Sequence, residues 1–273
     1  MNKQGIDLRP VCRAVNPFVI MGVKNMPRFF IENLEREVGD SVVITGQDAT
    51  HIARSLRMKA GENLTVCGGL GCDYSCEIIL VSDDRVELSV TGKAVTESEP
   101  DIRVTLYQGL PKGDKLELII EKTIELGVSR IVPVLTRRSV SRPDAKSAAK
   151  KHERYRRQAE SAAKQCGRGI IPDVGEMISF REMLQCLGRH DAVIFFYECG
   201  GSPLSAVMKE IAQRNCGDIA IVIGPEGGFE LSEAQSLRDA GAFTATLGRR
   251  ILRTETAPIA AIAAIMYATG NMD

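Results

Sequence analysis

The sequence predicts an α/β protein in which a small β-rich region precedes a larger, mostly parallel α/β domain. Between residue 26 and about residue 95, short β-prone segments are separated by Gly-rich and Asp-rich turns. From residue 102 onward, apolar strand-like runs alternate with longer helical patterns. The polar stretch at residues 96–100 separates the two regions and is predicted to be a linker.

The first region contains five short segments with the composition of β-strands. They cover residues 29–31, 41–44, 64–67, 76–80 and 86–90. One short helix is predicted at residues 48–56, with Asp48 as its N-cap. Several short strands with a single helix predict a small β-barrel.

The second region alternates strands and helices, which is the pattern of a parallel sheet. Gly127 is predicted to end the first helix, Ser232 and Gln235 fit a capping box, and Pro258 suits the first turn of the last helix. The strand at residues 219–223 has no polar side chain, so we expect it to be buried on both faces. Strands are predicted at residues 103–110, 131–135, 192–197, 219–223 and 243–247. Helices are predicted at residues 115–126, 146–165, 179–187, 204–212, 232–240 and 256–269.

The bulk composition is that of an ordinary globular protein. The chain has 273 residues, enough for two domains, and 44% of them are hydrophobic. Its 35 Lys and Arg balance its 35 Asp and Glu, so any basic surface that binds nucleic acid must be local. No apolar run approaches the ~20 residues of a membrane helix, so we expect a cytoplasmic protein that does not contact membranes.

The cysteine and histidine pattern predicts neither a metal site nor a hydrolase. None of the eight cysteines forms a C-x-x-C pair, and no histidine is near Cys67, Cys72 or Cys76. We therefore expect no bound metal and reduced thiols. The three histidines fall in different predicted elements, and no Ser or Cys lies on a nucleophile elbow.

Residues 1–25 are predicted to be an unstructured leader. Lys3, Arg9 and Arg13 precede an apolar patch at residues 17–23, as in the outline of a signal peptide. The patch is too short for that role, however, and no small-x-small cleavage site follows it.

Two segments at strand ends carry residues that packing alone does not require. Residues 224–229 (Gly-Pro-Glu-Gly-Gly-Phe) join the buried strand to a helix, and their glycines would let backbone N–H groups converge on a ligand. No Walker A or G-x-G-x-x-G pattern is present, and a tight turn that requires glycine explains the segment equally well.

The second segment, residues 247–257, places Arg249, Arg250, Arg253 and Glu255 between an apolar strand and an apolar helix. Its charges are interrupted by two apolar residues, which predicts a partly buried loop whose arginines need acidic partners or a ligand. Two such loops at neighbouring strand ends predict a small-molecule pocket.

Three further features bear on partners. Residues 146–168 contain many Lys and Arg, which suits either phosphate binding or a solvated helix face. In the β-rich region acidic residues outnumber basic ones, so RNA binding there requires a restricted patch such as Arg28, Arg54 and Arg57.

The final helix is apolar nearly all round and is either a core helix or, as we favour, also part of a subunit interface.

Taken together, these segments resemble the RsmE family, the bacterial methyltransferases that make N3-methyluridine in 16S ribosomal RNA. The resemblance runs in order from Met26 to the C-terminus, which makes Met26 a candidate translation start. The matching segments are residues 26–30, 51–57, 108–115, 121–128, 160–168, 224–229 and 247–257.

The resemblance implies a PUA-like RNA-binding barrel over residues 26–99 and a SPOUT methyltransferase domain with a trefoil knot over residues 100–273. It also implies S-adenosylmethionine as methyl donor, a homodimer, and 16S rRNA of the small ribosomal subunit as substrate. Carried over by motif, the candidate cofactor-binding residues are Tyr197, Glu198, Gly224, Pro225, Glu226, Gly227, Gly228, Leu247, Gly248, Ile251, Leu252, Arg253 and Thr254. The candidate RNA-binding residues are Arg28, Arg54, Arg57, Lys112, Lys122 and Arg168.

The implied chemistry assigns roles to two further groups. Uridine N3 is a poor nucleophile until its proton leaves, and the departure of that proton places negative charge on O2 and O4. An arginine near those oxygens would stabilise the charge, and a carboxylate could take the proton. Arg253 and Glu255 are our candidates for these catalytic roles. Two alternatives stay open: methylation of another RNA, such as a 2′-hydroxyl in tRNA, and a non-catalytic RNA-binding assembly factor.

Overall fold

The computed structural model describes residues 26–31 and 33–272, so the leader predicted for residues 1–25 lies outside the described residues. The described chain forms two compact units. The N-terminal unit consists of residues 26–99 together with Ala163–Ile171. The C-terminal unit consists of Pro100–Ala162 and residues 172–272.

The N-terminal unit is built on one five-stranded sheet in the order β1-β3-β4-β5-β2. β1 and β3 pair in parallel and the other neighbours are antiparallel. Alternate residues of β2 are buried, so one face of that strand packs on the core, where Val42 and Ile44 lie. The strands are β1 (Arg28–Phe30), β2 (Ser41–Thr45), β3 (Asn63–Cys67), β4 (Cys72–Val81) and β5 (Arg85–Val95).

The helix of this unit begins earlier than the sequence predicts. Helix α1 spans Gly46–Thr50 and continues into a π-helical turn, His51–Ser55. Thr45 occupies the N-cap position and no side chain caps the helix, so the prediction of Asp48 as N-cap was wrong. The reason is that β2 ends at Thr45 and runs directly into the helix, which places Asp48 inside the first turn.

Residues 163–171 belong to the N-terminal unit, which differs from the predicted domain boundary near residue 100. One Glu99 carboxylate oxygen accepts hydrogen bonds from the Gly169 amide at 2.7 Å and the Ile170 amide at 3.1 Å. The other oxygen lies 2.7 Å from the Arg168 guanidinium. These contacts join positions about 70 residues apart, which local sequence patterns do not encode.

The C-terminal unit is a parallel sheet in the order β11-β13-β10-β12-β6-β7-β8, with β9 also paired to β7. The longer strands are β6 (Arg103–Gly109), β7 (Arg130–Leu135), β10 (Ala192–Phe196), β12 (Asp218–Ile223) and β13 (Phe243–Thr246). Three two-residue strands were not predicted, because two residues carry no periodicity. They are β8 (Asp173–Val174), β9 (Ile178–Ser179) and β11 (Ser202–Pro203).

Helices connect these strands close to the predicted positions. Gly127 has a φ of +98° and follows Leu126, the C-cap of α2, and Pro258 lies in the first turn of α7, as predicted. Helix α6 begins at Leu231 with Glu230 at its N-cap, and the Glu233 carboxylate accepts a hydrogen bond from the Glu230 amide. The predicted capping box of Ser232 and Gln235 was therefore wrong. The helices are α2 (Lys115–Glu125), α3 (Ala145–Cys166), α4 (Phe180–Leu187), α5 (Leu204–Gln213), α6 (Leu231–Asp239) and α7 (Thr256–Ala268).

The central strands are buried, and their ends position the candidate site. Every residue of β12 from Ile219 to Ile223 is buried, which confirms the prediction of a strand covered on both faces. Since β13, β10, β12 and β6 are parallel neighbours, their carboxyl ends lie along one edge of the sheet.

Candidate active site

The predicted cofactor-binding residues meet at the carboxyl ends of three neighbouring strands. Tyr197 and Glu198 follow β10, Gly224 follows β12, and Leu247 follows β13. The Tyr197 amide also donates to the carbonyl of Ala245 at 3.2 Å, which holds the end of β10 against β13. Open α/β sheets bind ligands in this position.

Residues 224–229, the glycine loop, form a tight turn with a structural need for glycine. Gly228 has a φ of +65°, and its amide donates to the Pro225 carbonyl at 2.9 Å. A Cβ on Gly228 would collide with the carboxylate of Glu198. The requirement for glycine in a tight turn is therefore confirmed at Gly228, and ligand binding by this segment stays a prediction.

Arg138 also binds the glycine loop, although no motif in the sequence marks this residue. Its guanidinium donates to the Gly227 carbonyl at 3.0 Å and to the Glu230 carboxylate at 2.9 Å. The bond from Arg138 lowers the pKa of Glu230 and keeps that carboxylate ionised. The loop is thus fixed at its backbone by a residue that follows β7.

Lys115 joins the glycine loop to the segment that precedes α7. Its Nζ donates to Glu226 at 3.0 Å and lies 3.3 Å from Oε2 of Glu255, an ion pair without hydrogen-bond geometry. Burial opposes ionisation of Glu226, but Lys115 and backbone amides, including that of Lys112, outweigh burial and lower its pKa. Lys115 lies in residues 108–115, one of the segments that resemble the RsmE family. Only the fold shows that it lies beside Glu226 and Glu255.

Residues 247–255, the arginine turn, are more exposed than the sequence predicts. Arg253 is exposed, and Ile251 exposes 85% of its surface. The prediction of partly buried arginines was therefore wrong, because the turn is short and lies at the sheet edge. Thr254 is buried, and its hydroxyl donates to the Gly224 carbonyl at 2.9 Å. This bond connects the arginine turn to the glycine loop.

The candidate RNA-binding residues of the N-terminal unit differ in their surroundings. Arg28 pairs with Asp73 at 2.8 Å, whereas Arg54 is exposed and pairs with Asp83 at 3.0 Å. Arg57 is exposed. Arg168 exposes only 4% of its surface and binds Glu99, so we assign it a structural role.

Beside Arg28 the N-terminal unit has an open groove of about 580 Å³. Its walls combine aromatic rings with charged side chains, and the Nζ of Lys164 lies 5.8 Å from the centre of the Phe30 ring. The lining residues are Met26, Pro27, Arg28, Phe29, Phe30, Asp48, His51, Leu56 and Lys164.

The two candidate lysines of the C-terminal unit also differ. Lys112 is exposed, and its backbone amide donates to Glu226 at 3.2 Å. Lys122 lies 2.8 Å from both Glu121 and Glu125, and hydrogen bonds to these two carboxylates raise its pKa. An RNA phosphate would have to compete with those glutamates for Lys122.

Within residues 26–31 and 33–272, no cluster of three or more His, Cys, Asp or Glu side chains could hold a metal ion. In the same part of the chain, no helix is both long enough and apolar enough to cross a membrane.

Comparison with known proteins identifies the family. A model described as an RNA methyltransferase domain matches residues 97–266, and one described as an RNA methyltransferase PUA domain matches residues 44–91. Ribosomal RNA small subunit methyltransferase E of Bacillus subtilis (strain 168) is 38% identical over 251 residues, covering 89% of this chain and 97% of the relative. The chain belongs to the ribosomal RNA small subunit methyltransferase E family, RsmE.

Solved structures agree with the RsmE assignment. The RsmE of Neisseria gonorrhoeae, solved bound to S-adenosylmethionine, is 32% identical with a TM-score of 0.77, covering 89% of this chain and 98% of that one. A methyltransferase of Legionella pneumophila with bound S-adenosylmethionine is 26% identical with a TM-score of 0.75, at the same coverages. The resemblance to RsmE is thereby confirmed, as is an α/β fold with an N-terminal PUA-like domain and a C-terminal methyltransferase domain.

Proposed function

We propose that this RsmE-family protein transfers a methyl group from S-adenosylmethionine to N3 of a specific uridine in 16S rRNA of the small ribosomal subunit. The observation that carries the proposal is the junction of the glycine loop and the arginine turn at the carboxyl ends of β12 and β13. The names of its relatives support a small-subunit rRNA substrate, and the solved neighbours support the cofactor.

The residues at this edge fit the proposed cofactor. The glycine loop and the arginine turn are joined by the Thr254 hydrogen bond at the carboxyl ends of β12 and β13, which is where open α/β sheets bind ligands. We place the cofactor against the end of β10, the glycine loop and the arginine turn, with the candidate cofactor-binding residues as its contacts. When bound, S-adenosylmethionine supplies an electrophilic methyl carbon on its sulfonium.

In this proposal two residues of the arginine turn act on the uridine. Arg253 binds O2 or O4 of the base and stabilises the anion that forms as the N3 proton leaves. Its exposed guanidinium is accessible to a base that docks at the sheet edge. Glu255 accepts the N3 proton. Lys115 lies 3.3 Å from the Glu255 carboxylate and helps to position it.

The finer features of the family complete the proposal. We expect a trefoil knot in the C-terminal domain and a boundary between the two domains near residue 100 of the sequence. We also expect a homodimer that acts on the small subunit in the cytoplasm. In the N-terminal unit, we expect RNA to contact the groove beside Arg28 and the exposed residues Arg54 and Arg57. In the C-terminal unit we retain Lys112 and Lys122 as RNA contacts. Phosphate contacts of this kind position RNA without reading its sequence.

Mass spectrometry of 16S rRNA tests the function. Small subunits from cells that lack the gene are incubated with the purified protein and S-adenosylmethionine, and the rRNA is digested and mapped. We expect one N3-methyluridine that is absent without protein. A methyl group on a ribose 2′-hydroxyl, or on tRNA instead of 16S rRNA, would contradict the proposed specificity. No methyl transfer at all would contradict the proposed catalysis.

A further inference from the structure

Gln108 is a fully buried polar side chain at the end of β6, next to the candidate active site. Its strand partner on β12 is Ile223, the residue directly before the glycine loop. Its chain neighbour Gly109 has no side chain, and a Cβ there would collide with Pro225 of the loop. The end of β6 therefore packs directly against the base of the glycine loop.

The Gln108 amide nitrogen joins both loops of the site. Nε2 lies 3.3 Å from the Gly224 carbonyl, 3.2 Å from the Thr254 hydroxyl and 3.1 Å from the Gly109 carbonyl. The Thr254 hydroxyl itself donates to Gly224 at 2.9 Å, so Gln108, Thr254 and Gly224 form a closed triangle of hydrogen bonds. Two backbone carbonyls accept from the same nitrogen, which fixes the orientation of the amide.

The buried amide of Gln108 costs stability, so core packing alone does not explain it. Its Oε1 is buried and accepts no hydrogen bond from any residue that the structure describes. A buried polar atom without a partner costs stability, whereas an apolar side chain of similar size would avoid that cost. An amide at this position is therefore explained by what its nitrogen holds together.

We propose that Gln108 is a positioning residue for the cofactor. It fixes the Gly224 carbonyl and the Thr254 hydroxyl at the separation that the bound S-adenosylmethionine requires, without touching the cofactor itself. This inference rests on the proposed function, since it assumes that the cofactor lies between the glycine loop and the arginine turn. Preorganised loops avoid the free energy of ordering at the moment of binding, so the effect of Gln108 falls on affinity.

The test compares Gln108→Met with Leu106→Met, a matched substitution at a buried position of the same strand. Calorimetry with S-adenosylmethionine should show that Gln108→Met weakens binding roughly tenfold, the loss expected for about one to two hydrogen bonds. Leu106→Met should bind like the wild type. The Tm of Gln108→Met should not fall below that of Leu106→Met, and its single-turnover rate at saturating cofactor should stay close to the wild-type rate.

Thr254→Val, at a candidate cofactor contact, removes the hydroxyl that completes the triangle, so its coupling to Gln108→Met is the second measurement. Its affinity loss should resemble that of Gln108→Met, and the double variant should lose less than the product of the two single losses. If Gln108→Met does not fold, Gln108→Leu, which also removes the amide, takes its place in the comparison with Leu106→Met. Wild-type affinity in either folded variant, or fully multiplicative losses, would overturn the positioning role. If the wild-type protein does not bind S-adenosylmethionine, the proposed function fails instead.

Discussion

At the scale of single residues, glycines allow the tight turns at the carboxyl ends of the strands, and charged side chains bind these loops. Gly228 permits a backbone conformation and an approach by Glu198 that other residues would prevent. Arg138 and Lys115 then bind the loop from two sides. Arg253 differs from both, because it is exposed and lies in the turn beside the loop, which leaves it accessible to substrate.

We expect Arg253→Ala to lower the single-turnover methylation rate by roughly 100-fold or more, the scale of losing one donor to a developing anion. Arg253→Lys should restore little, since an ammonium cannot reproduce the planar guanidinium. Arg249→Ala, at another exposed arginine of the same turn, is the control and should stay near the wild-type rate. Cofactor titration of each variant separates rate from affinity, and a defect of Arg253→Ala that lies wholly in cofactor affinity would refute its catalytic role.

A second residue-scale prediction concerns Gly228. An alanine there would have to adopt a φ of +65° and would displace the Glu198 carboxylate, so Gly228→Ala should weaken S-adenosylmethionine binding roughly tenfold or more. The control is Gly241→Ala, which has a φ of +82° but no atom within 4 Å of the added Cβ. Backbone strain should lower the free energy of unfolding of both variants by about 1–2 kcal/mol. Only Gly228→Ala should lose affinity for S-adenosylmethionine. Equal affinities by calorimetry would show that the loop does not contact the cofactor.

At the scale of elements, α7 has two apolar faces. Its buried face includes Ala261, Ile262 and Ile265. The other face is only partly covered within the described residues, since Ala263 is half-buried and Tyr267 exposes 72% of its surface. One face of α7 is therefore a core face, and the second face is what suggests the subunit interface that the sequence predicts.

We expect this second face to form the homodimer. Sedimentation at micromolar concentration should give twice the mass of the chain, and Ala263→Glu should give the monomer because it buries a charge in the interface. Ser205→Glu, which adds a charge at an exposed site on α5, should leave the dimer intact. A wild-type protein that sediments only as a monomer, or an Ala263→Glu variant that remains dimeric, would exclude α7 as the interface.

At the scale of the whole molecule, contacts between distant positions decide which segments fold together. Residues 163–171 include the last residues of helix α3 but belong to the N-terminal unit. Glu99 fixes them there through the amides of Gly169 and Ile170 and the guanidinium of Arg168, whose side chain is only 5% exposed.

Breaking this contact should destabilise the protein. We expect Glu99→Ala to lower the free energy of unfolding by about 3 kcal/mol, because it leaves the Arg168 charge buried without its partner. Glu97→Ala, at an exposed glutamate two residues earlier, should change it by less than about 0.5 kcal/mol. Urea unfolding measures both variants. If the two lose the same stability, the Glu99 carboxylate does not hold this segment in place.

The sequence by itself determined the longer strands and helices, the two-part architecture, the two loops at the sheet edge and the RsmE family. Hydrophobic periodicity and loop motifs are local, so one chain read in order contains them. The tertiary structure decided the burial of Arg168, the exposure of Arg253 and the contacts of Lys115 and Gln108. Gln108 and Thr254 lie 146 positions apart, and only the packing of parallel strands brings such residues within hydrogen-bond distance.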